Sequence, residues 1–226
     1  MMHSAIAIIA MWTIAWPASA QLDQISNREA VSGLKAALEK GAVYAVDALG
    51  RTDGFFGDTR VKIPLPKSLQ SAEKLMRTLG MGSYADELIL TMNRAAEAAV
   101  PEAKKLLVDS VKKMTVQDAK GILTGGDTAG TEYFRRTTQD QIRARFLPIV
   151  KRSTEKVGLA QTYNQYAGDA ARFGLIKKEN ANLDAYVTEK ALDGLYFMIG
   201  EEEKKIRRDP VGSASNIIQK VFGAIR

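Results

Sequence analysis

The sequence predicts an all-α fold, a single multi-helix bundle of about seven to nine helices with one extended proline-containing strap across it. Three observations lead there. Apolar residues recur at gaps of three and four along most of the chain, the spacing of an amphipathic helix. Alternation at a period of two occurs once, in a segment broken by two prolines that exclude both a helix and a central strand. The stretches between periodic runs are short and carry Gly, Pro, Asp or Thr, as connections between packed helices do.

The 226-residue chain opens on an apolar run from Ala5 to Trp16, ended by Pro17 and followed by Ala18-Ser19-Ala20. A run of about twelve apolar residues falls short of the roughly 20 that span a bilayer. The small residues after it form a signal-peptidase pattern, with cleavage expected before Gln21. Residues 1–20 are therefore expected to be a signal peptide and 21–226 a single α-helical domain, exported to a periplasm. The leader's first residues, Met-Met-His-Ser, carry no Lys or Arg, and the rival reading is an uncleaved anchor. No Cys follows the run, which excludes a lipid-modified N-terminus, and no later segment is apolar enough to span a membrane.

Composition narrows the chemistry. The chain has no Cys, and its single His (His3) and both Trp (Trp12, Trp16) lie in the leader. Past Ala20 this excludes a disulfide scaffold, Cys/His zinc sites, and Ser-His-Asp, Cys-His or histidine general-base catalysis. Lys and Arg number 32 against 26 Asp and Glu, a net charge of +6, but the cations are dispersed among acids rather than gathered in a stripe. No nucleic-acid partner is expected from that pattern; anionic headgroups or cell-wall polymers suit it better.

Taken in order, Val31, Leu34, Leu38, Ala42, Ala45 and Leu49 predict a helix over 27–49, stopped by Gly50. Asp53-Gly54 and Gly57-Asp58 are turn signals around Phe55-Phe56. Val61, Ile63 and Leu65 alternate with Lys62, Pro64 and Pro66, which gives the strap. Helical spacing resumes at Ser68, breaks at Gly80–Gly82, and runs from Ser83 to Met114 with Ala85, Leu88, Met92, Ala96, Ala99, Ala103 and Leu106 on one stripe. Pro101 inside it marks a kink or the first turn of a new helix. Thr115 and Asp118 open a short helix to Leu123, and Gly125-Gly126 end it. Asp127 is expected to cap the next helix, and Thr138 to Gln141 to form a capping box for another, with Pro148 as a kink or boundary. Helices are expected at 153–173, 183–208 and 213–224. The glycine pair at 125–126 is also where two helical subdomains would join, the lesser alternative to one domain.

Several stretches, in this order, resemble the bacterial domain of unknown function family 4197: Asp53-Gly-Phe55, Val61-Lys-Ile-Pro-Leu-Pro66, Met92-Asn-Arg-Ala-Ala-Glu97, Asp118 to Gly126, Tyr133-Phe-Arg-Arg136, Tyr186 to Leu195, Glu202 to Arg207 and Asp209-Pro210. The resemblance covers about residues 30–224. It implies an exported, mostly helical protein of unassigned activity and supplies no catalytic residues.

The candidate site residues come from polar groups in places a helix would otherwise keep apolar. On the helix over 183–208, Glu202 falls within the stripe of Val187, Ala191, Leu195, Met198, Ile199 and Ile206. It is either an acid or polar anchor for a ligand, or half of an ion pair, or past the point where the stripe leaves the core. Phe197 and Tyr186 form a second apolar face, central in the bundle or a binding surface. Glu189 and Asp193 lie one turn apart and could offer oxygens to a hard cation, or simply a solvated or Arg-paired face. Asp86, Asn93 and Glu97, with Arg94 alongside, form a polar stripe, solvated or set between helices. Arg135 and Arg136 could hold an anion, with Glu132 and Asp140 as local partners. Leu123 to Gly130 is glycine-rich but lacks the Gly-Lys-Ser/Thr ending of a phosphate loop. Glu201–Lys205 and Glu203–Arg207 are favourable i,i+4 pairs, expected on an exposed helix end.

Three functions remain. The first is a binding module for a hydrophobic or amphipathic small molecule or lipid, possible where small Ala and Gly faces and adaptable Met side chains line a pocket. The second is a structural or partner-binding envelope protein, with Phe55, Phe56 or Phe197 as its membrane or partner contacts. The third is a carboxylate-dependent hydrolase using Glu202 or Glu189 and Asp193. No cofactor and no metal is implied. A closed apolar cavity faced by Glu202 would favour binding; tight alanine packing without one would favour a scaffold.

Overall fold

The computed structural model describes residues 27–155, 164, 182–210 and 216–223. Among them are eight α-helices and no strand: α1 (Asn27–Leu49), α2 (Lys67–Thr78), α3 (Gly82–Ala99), α4 (Ala103–Lys113), α5 (Val116–Leu123), α6 (Ala129–Thr154), α7 (Leu183–Arg208) and α8 (Asn216–Gly223). The leader and most of the helix expected at 153–173 lie outside the described residues. No helix among the described residues is long and apolar enough to cross a membrane.

The two longest helices, α6 and α7, pack against each other at the centre. α3 and α4 lie on α6, α1 lies on α7, and α8 closes over α1. Four of the eight residues that α3 buries are alanines, Ala85, Ala95, Ala96 and Ala99, and side chains this small let helix axes approach. Pro101 ends α3 in a single 3-10 turn, Val100–Glu102, from which α4 departs; a proline in the first turn costs no hydrogen bond. Thr115 and Asp118 form a reciprocal capping box at the start of α5.

The helix start expected at Thr138 does not exist, and Pro148, expected as a kink or a boundary, is not a boundary. α6 runs without interruption from Ala129 to Thr154 through both Thr138 and Pro148. Instead of capping a helix, Thr138 is buried; its hydroxyl donates to the Phe134 carbonyl at 2.7 Å and meets the Tyr196 hydroxyl at 2.9 Å. Asp127 does not cap α6 either. The N-cap position is Thr128, with no side-chain bond, and the first-turn amides find their acceptor on another helix.

Residues 50–66 are the strap with its preceding turns. Val61, Ile63 and Leu65 turn inward and Lys62 and Pro64 outward, as their alternation requires. Asp53 takes a left-handed turn conformation (φ 64°), which Asp tolerates better than most residues. Phe55 follows and is fully buried against α7, where Gly194 makes room: a Cβ there would sit 2.6 Å from the Phe55 ring.

Candidate functional site

The strap is held by side chains of α3. Asn93 is completely buried; its carbonyl oxygen accepts from the Ile63 amide (2.8 Å) and its NH2 donates to the Ile63 carbonyl (2.9 Å), replacing the partner strand that a proline-bearing segment lacks. One turn on, Glu97 Oε1 accepts from the amides of Phe55 (3.0 Å) and Phe56 (3.1 Å), and Oε2 accepts from Arg94 (2.7 Å). Arg94 also donates to Asp53 (2.7 Å). Asn93 and Glu97 thus form a buried clamp, where a solvated outer stripe was one sequence-based expectation. Asp86, from the same stripe, stays exposed and pairs with Arg77 at 2.6 Å.

With the strap fixed, its outer edge faces α6 and α7 across an open groove of about 510 Å³. On α7, Lys190, Asp193, Phe197, Glu201 and Lys204 recur at helical spacing along one wall, about 21 Å from first to last at 1.5 Å per residue. Thr131, Glu132 and Arg135 of α6 form the second wall, and Arg60, Val61, Lys62 and Pro64 of the strap the third. Five cations (Arg60, Lys62, Arg135, Lys190, Lys204) meet three carboxylates (Glu132, Asp193, Glu201) there. The Arg135 guanidinium lies 4.7 Å from the Tyr196 ring centre and 3.8 Å from Asp193, which also meets Lys190 at 3.4 Å. Lys204 pairs with Glu201 at 2.9 Å. Arg60 grips Asp58 (2.6 Å) and holds its carboxyl below the usual 3.8. Lys62 stands 4.0 Å above the Phe56 ring and has no carboxylate within ion-pair distance among the described residues. Phe197 is 40% exposed in the middle of the groove. Burial pushes the Tyr196 hydroxyl pKa up, opposed by its bond to Thr138.

The other sequence candidates are dispersed. Glu202 does not enter the core: its side chain is 16% exposed and its partner is Lys205, 3.8 Å away on the same helix. The buried carboxylate of α7 is the next residue, Glu203. Its two oxygens accept from the Gly130 and Thr131 amides (2.9 and 2.8 Å), from the Thr131 hydroxyl (2.8 Å) and from Arg207 (2.9 Å). Glu203 and Arg207 do pair, but in a buried position rather than on an exposed end, while Glu201 takes Lys204 in place of Lys205. The apolar wheel identified the stripe; the first-turn amides of α6, which have no partner within their own helix, decide which neighbouring carboxylate is drawn in. Glu189 and Asp193 go separate ways, Glu189 to Arg143 (2.5 Å) and Asp193 to Arg135 and Lys190. Among the described residues no three carboxylates gather as a metal-ligating group. Arg136 turns away from Arg135 toward a separate hollow, 3.7 Å from Asp118 and 5.7 Å from the Tyr133 ring. Phe55 is buried and is no surface contact; Phe56 lies half-buried beneath Lys62 and Arg94.

Lys62, Lys190 and Lys204 were not singled out from the sequence. The signal was present on α7, where Lys190, Phe197 and Lys204 follow one another at intervals of seven residues and so share a face. The strap's contribution was not readable, since nothing local fixes which helices it crosses.

No curated protein and no solved structure matches the chain. A family model described as protein of unknown function (DUF4197) matches residues 24–223, a span that takes in all eight helices and the strap, and the chain belongs to that family.

Proposed function

We propose that the chain is an exported binding module that takes an amphipathic small molecule bearing an anionic group, such as a lipid or fatty acid, in the groove between the strap, α6 and α7. The observation that carries this reading is the exposed Phe197 set among five cations. An apolar body lies along Phe197, Val61 and Pro64, and the anionic group meets Arg135 and Lys190, two cations that share the single carboxylate of Asp193. By itself the interior counts toward a scaffold rather than an enclosed binding site, so the reading rests on the surface groove alone. The gap between Ala37, Leu38, Gly41, Ile199, Ile206 and Phe222, lined by core side chains, holds only about 10 Å³, no more than one water needs. Export rests on the leader pattern of residues 1–20.

Native mass spectrometry of gently purified protein, followed by lipid extraction, reads the ligand directly, and calorimetry with dodecanoate and dodecyl phosphate measures it. Binding is expected to weaken about tenfold or more in the combined variant Arg135→Ala/Phe197→Ala, the loss of one charged contact and one aromatic surface. A clean unliganded mass, with no heat from either amphiphile, overturns the reading.

A further inference from the structure

The hollow toward which Arg136 turns lies between α4, α5 and α6 and has a volume of about 360 Å³, within the roughly 300–1,000 Å³ of small-molecule sites. Ser110 of α4 and Thr137 of α6 line it, and the directions of their hydroxyl protons are fixed. Thr137 Oγ1 donates to the Tyr133 carbonyl (2.8 Å), so Ser110 is the donor in the 2.7 Å contact between the two hydroxyls. The Tyr133 hydroxyl donates to the Ser110 carbonyl (2.9 Å) rather than to its hydroxyl. Ser110 is 7% exposed, and no donor among the described residues reaches its Oγ. Both lone pairs on that oxygen, and one on Thr137, are left for a donor inside the hollow. The charges nearby do not cancel. Asp109 is held by Lys105 and Lys112 of its own helix. Asp118 accepts from the amide and hydroxyl of Thr115 (3.1 and 2.7 Å), and Arg136 stands 3.7 Å from it. Lys113 has no carboxylate within ion-pair distance among the described residues. Glu132 and Asp140, one turn to either side of Arg136, serve the groove and Arg143 instead. Four cations thus surround two carboxylates, and Lys113 and Arg136 are the two that line the hollow.

We infer that this hollow is a second binding site, for a small hydroxyl-rich molecule bearing one anionic group: an acidic sugar, such as a hexuronate or a hexose phosphate. Its hydroxyls donate to Ser110 and Thr137, and its anionic group meets Arg136 and Lys113. A neutral sugar leaves the two cations unmet, and a bare anion brings no donor for the two hydroxyl oxygens. A fatty chain finds little to lie on, since the large apolar side chains of the lining are Leu106 and Tyr133, the latter with its ring under the Arg136 guanidinium at 5.7 Å. The groove lies on another face of α6, bounded by Thr131, Glu132 and Arg135. The two sites share no lining residue, and this inference does not depend on the ligand proposed for the groove.

Amide chemical shifts of the full chain, followed by NMR during titration with glucuronate, glucose 6-phosphate, glucose and inorganic phosphate, test it. Glucuronate or glucose 6-phosphate is expected to move the amides around Ser110, Arg136 and Thr137, and to bind about tenfold or more tighter than glucose or phosphate. Arg136→Ala, at an exposed position where the thermal transition should hold, is expected to weaken that binding about tenfold, and Arg136→Lys to recover part of it. Ser110→Ala removes one hydroxyl without enlarging the side chain and is expected to weaken it about fivefold. Arg135→Ala/Phe197→Ala should bind the acidic sugars like the parent. The inference is overturned if inorganic phosphate binds as tightly as both acidic sugars, if glucose does, if the shifted amides lie along the groove instead, if neither Arg136→Ala nor Ser110→Ala changes the affinity, or if none of the four compounds moves an amide.

Discussion

Replacing Glu97 by Ala removes the carboxylate on which the strap's first turn depends, and the structure allows the cost to be worked out. Two backbone amides and one guanidinium converge on Glu97, whose side chain is 5% exposed. The Phe55 amide is buried and would be left without an acceptor, at about 1–3 kcal/mol. The Phe56 amide is only part-buried and recovers water, a loss of about 0.5–1 kcal/mol. Arg94 keeps Asp53 and solvent and adds little. With the small void left by the side chain, the total comes to about 3 kcal/mol. At a urea slope near 2 kcal/mol per molar for a chain of this size, the midpoint should fall by about 1.5 M with the slope unchanged. Glu97→Gln keeps an acceptor for both amides but sets an NH2 against Arg94, and should cost about 1 kcal/mol. Hydrogen exchange read at Phe55 and Phe56 should accelerate most in the alanine variant. A midpoint drop under about 0.3 M for Glu97→Ala, with both amides still protected, would refute the clamp as the strap's anchor.

Other perturbations follow from the same packing. Gly194→Ala places a methyl 2.6 Å from the Phe55 ring and should destabilise by about 1–3 kcal/mol, measured as a lowered urea midpoint, while loosening the groove's strap wall. Thr115→Ala removes the α5 cap and should cost about 1 kcal/mol in the same assay. The Asp118 carboxyl is held below 3.8 by hydrogen bonds from Thr115, and Asp58 by Arg60. Since the unfolded chain binds those protons more readily, their contribution is complete above the usual carboxylate range and is lost as pH falls through the depressed values. Asp118→Asn should therefore flatten the acid limb of a plot of stability against pH. Tyr196, raised by burial, works in the opposite direction: its contribution is lost as pH climbs above 10.0. Tyr196→Phe should shrink the alkaline destabilisation and lower the stability by about 1 kcal/mol for the lost bond to Thr138.

The helices were largely legible because their information is local. Periodicity gave 27–49 and 183–208 with the observed ends, and the inward face of the strap follows from the alternation of Val61, Ile63 and Leu65. Where local rules failed, a distant residue had taken over. The capping signal at Thr138 was read as a helix start, but its hydroxyl serves Tyr196, 58 residues away. For Asn93 and Glu97 the sequence leaves open a solvated stripe or one set between elements, because their partners are backbone amides of the strap, and an amide carries no sequence signature. Glu202 and Glu203 differ by one position on the wheel, and only the docking of α6 separates the part-buried Glu202 from the fully engaged Glu203. The groove needed three segments assembled at once, and the sequence offered just one of its walls.

The tie between Glu203 and the opening turn of α6 spans 73 positions of sequence. A ribosome delivers the amides of Gly130 and Thr131 long before it delivers their acceptor. The middle of the polypeptide consequently stays unfinished until nearly the whole length has been synthesised, and a product cut short ahead of position 203 would have a frayed central rod instead of a smaller version of the molecule.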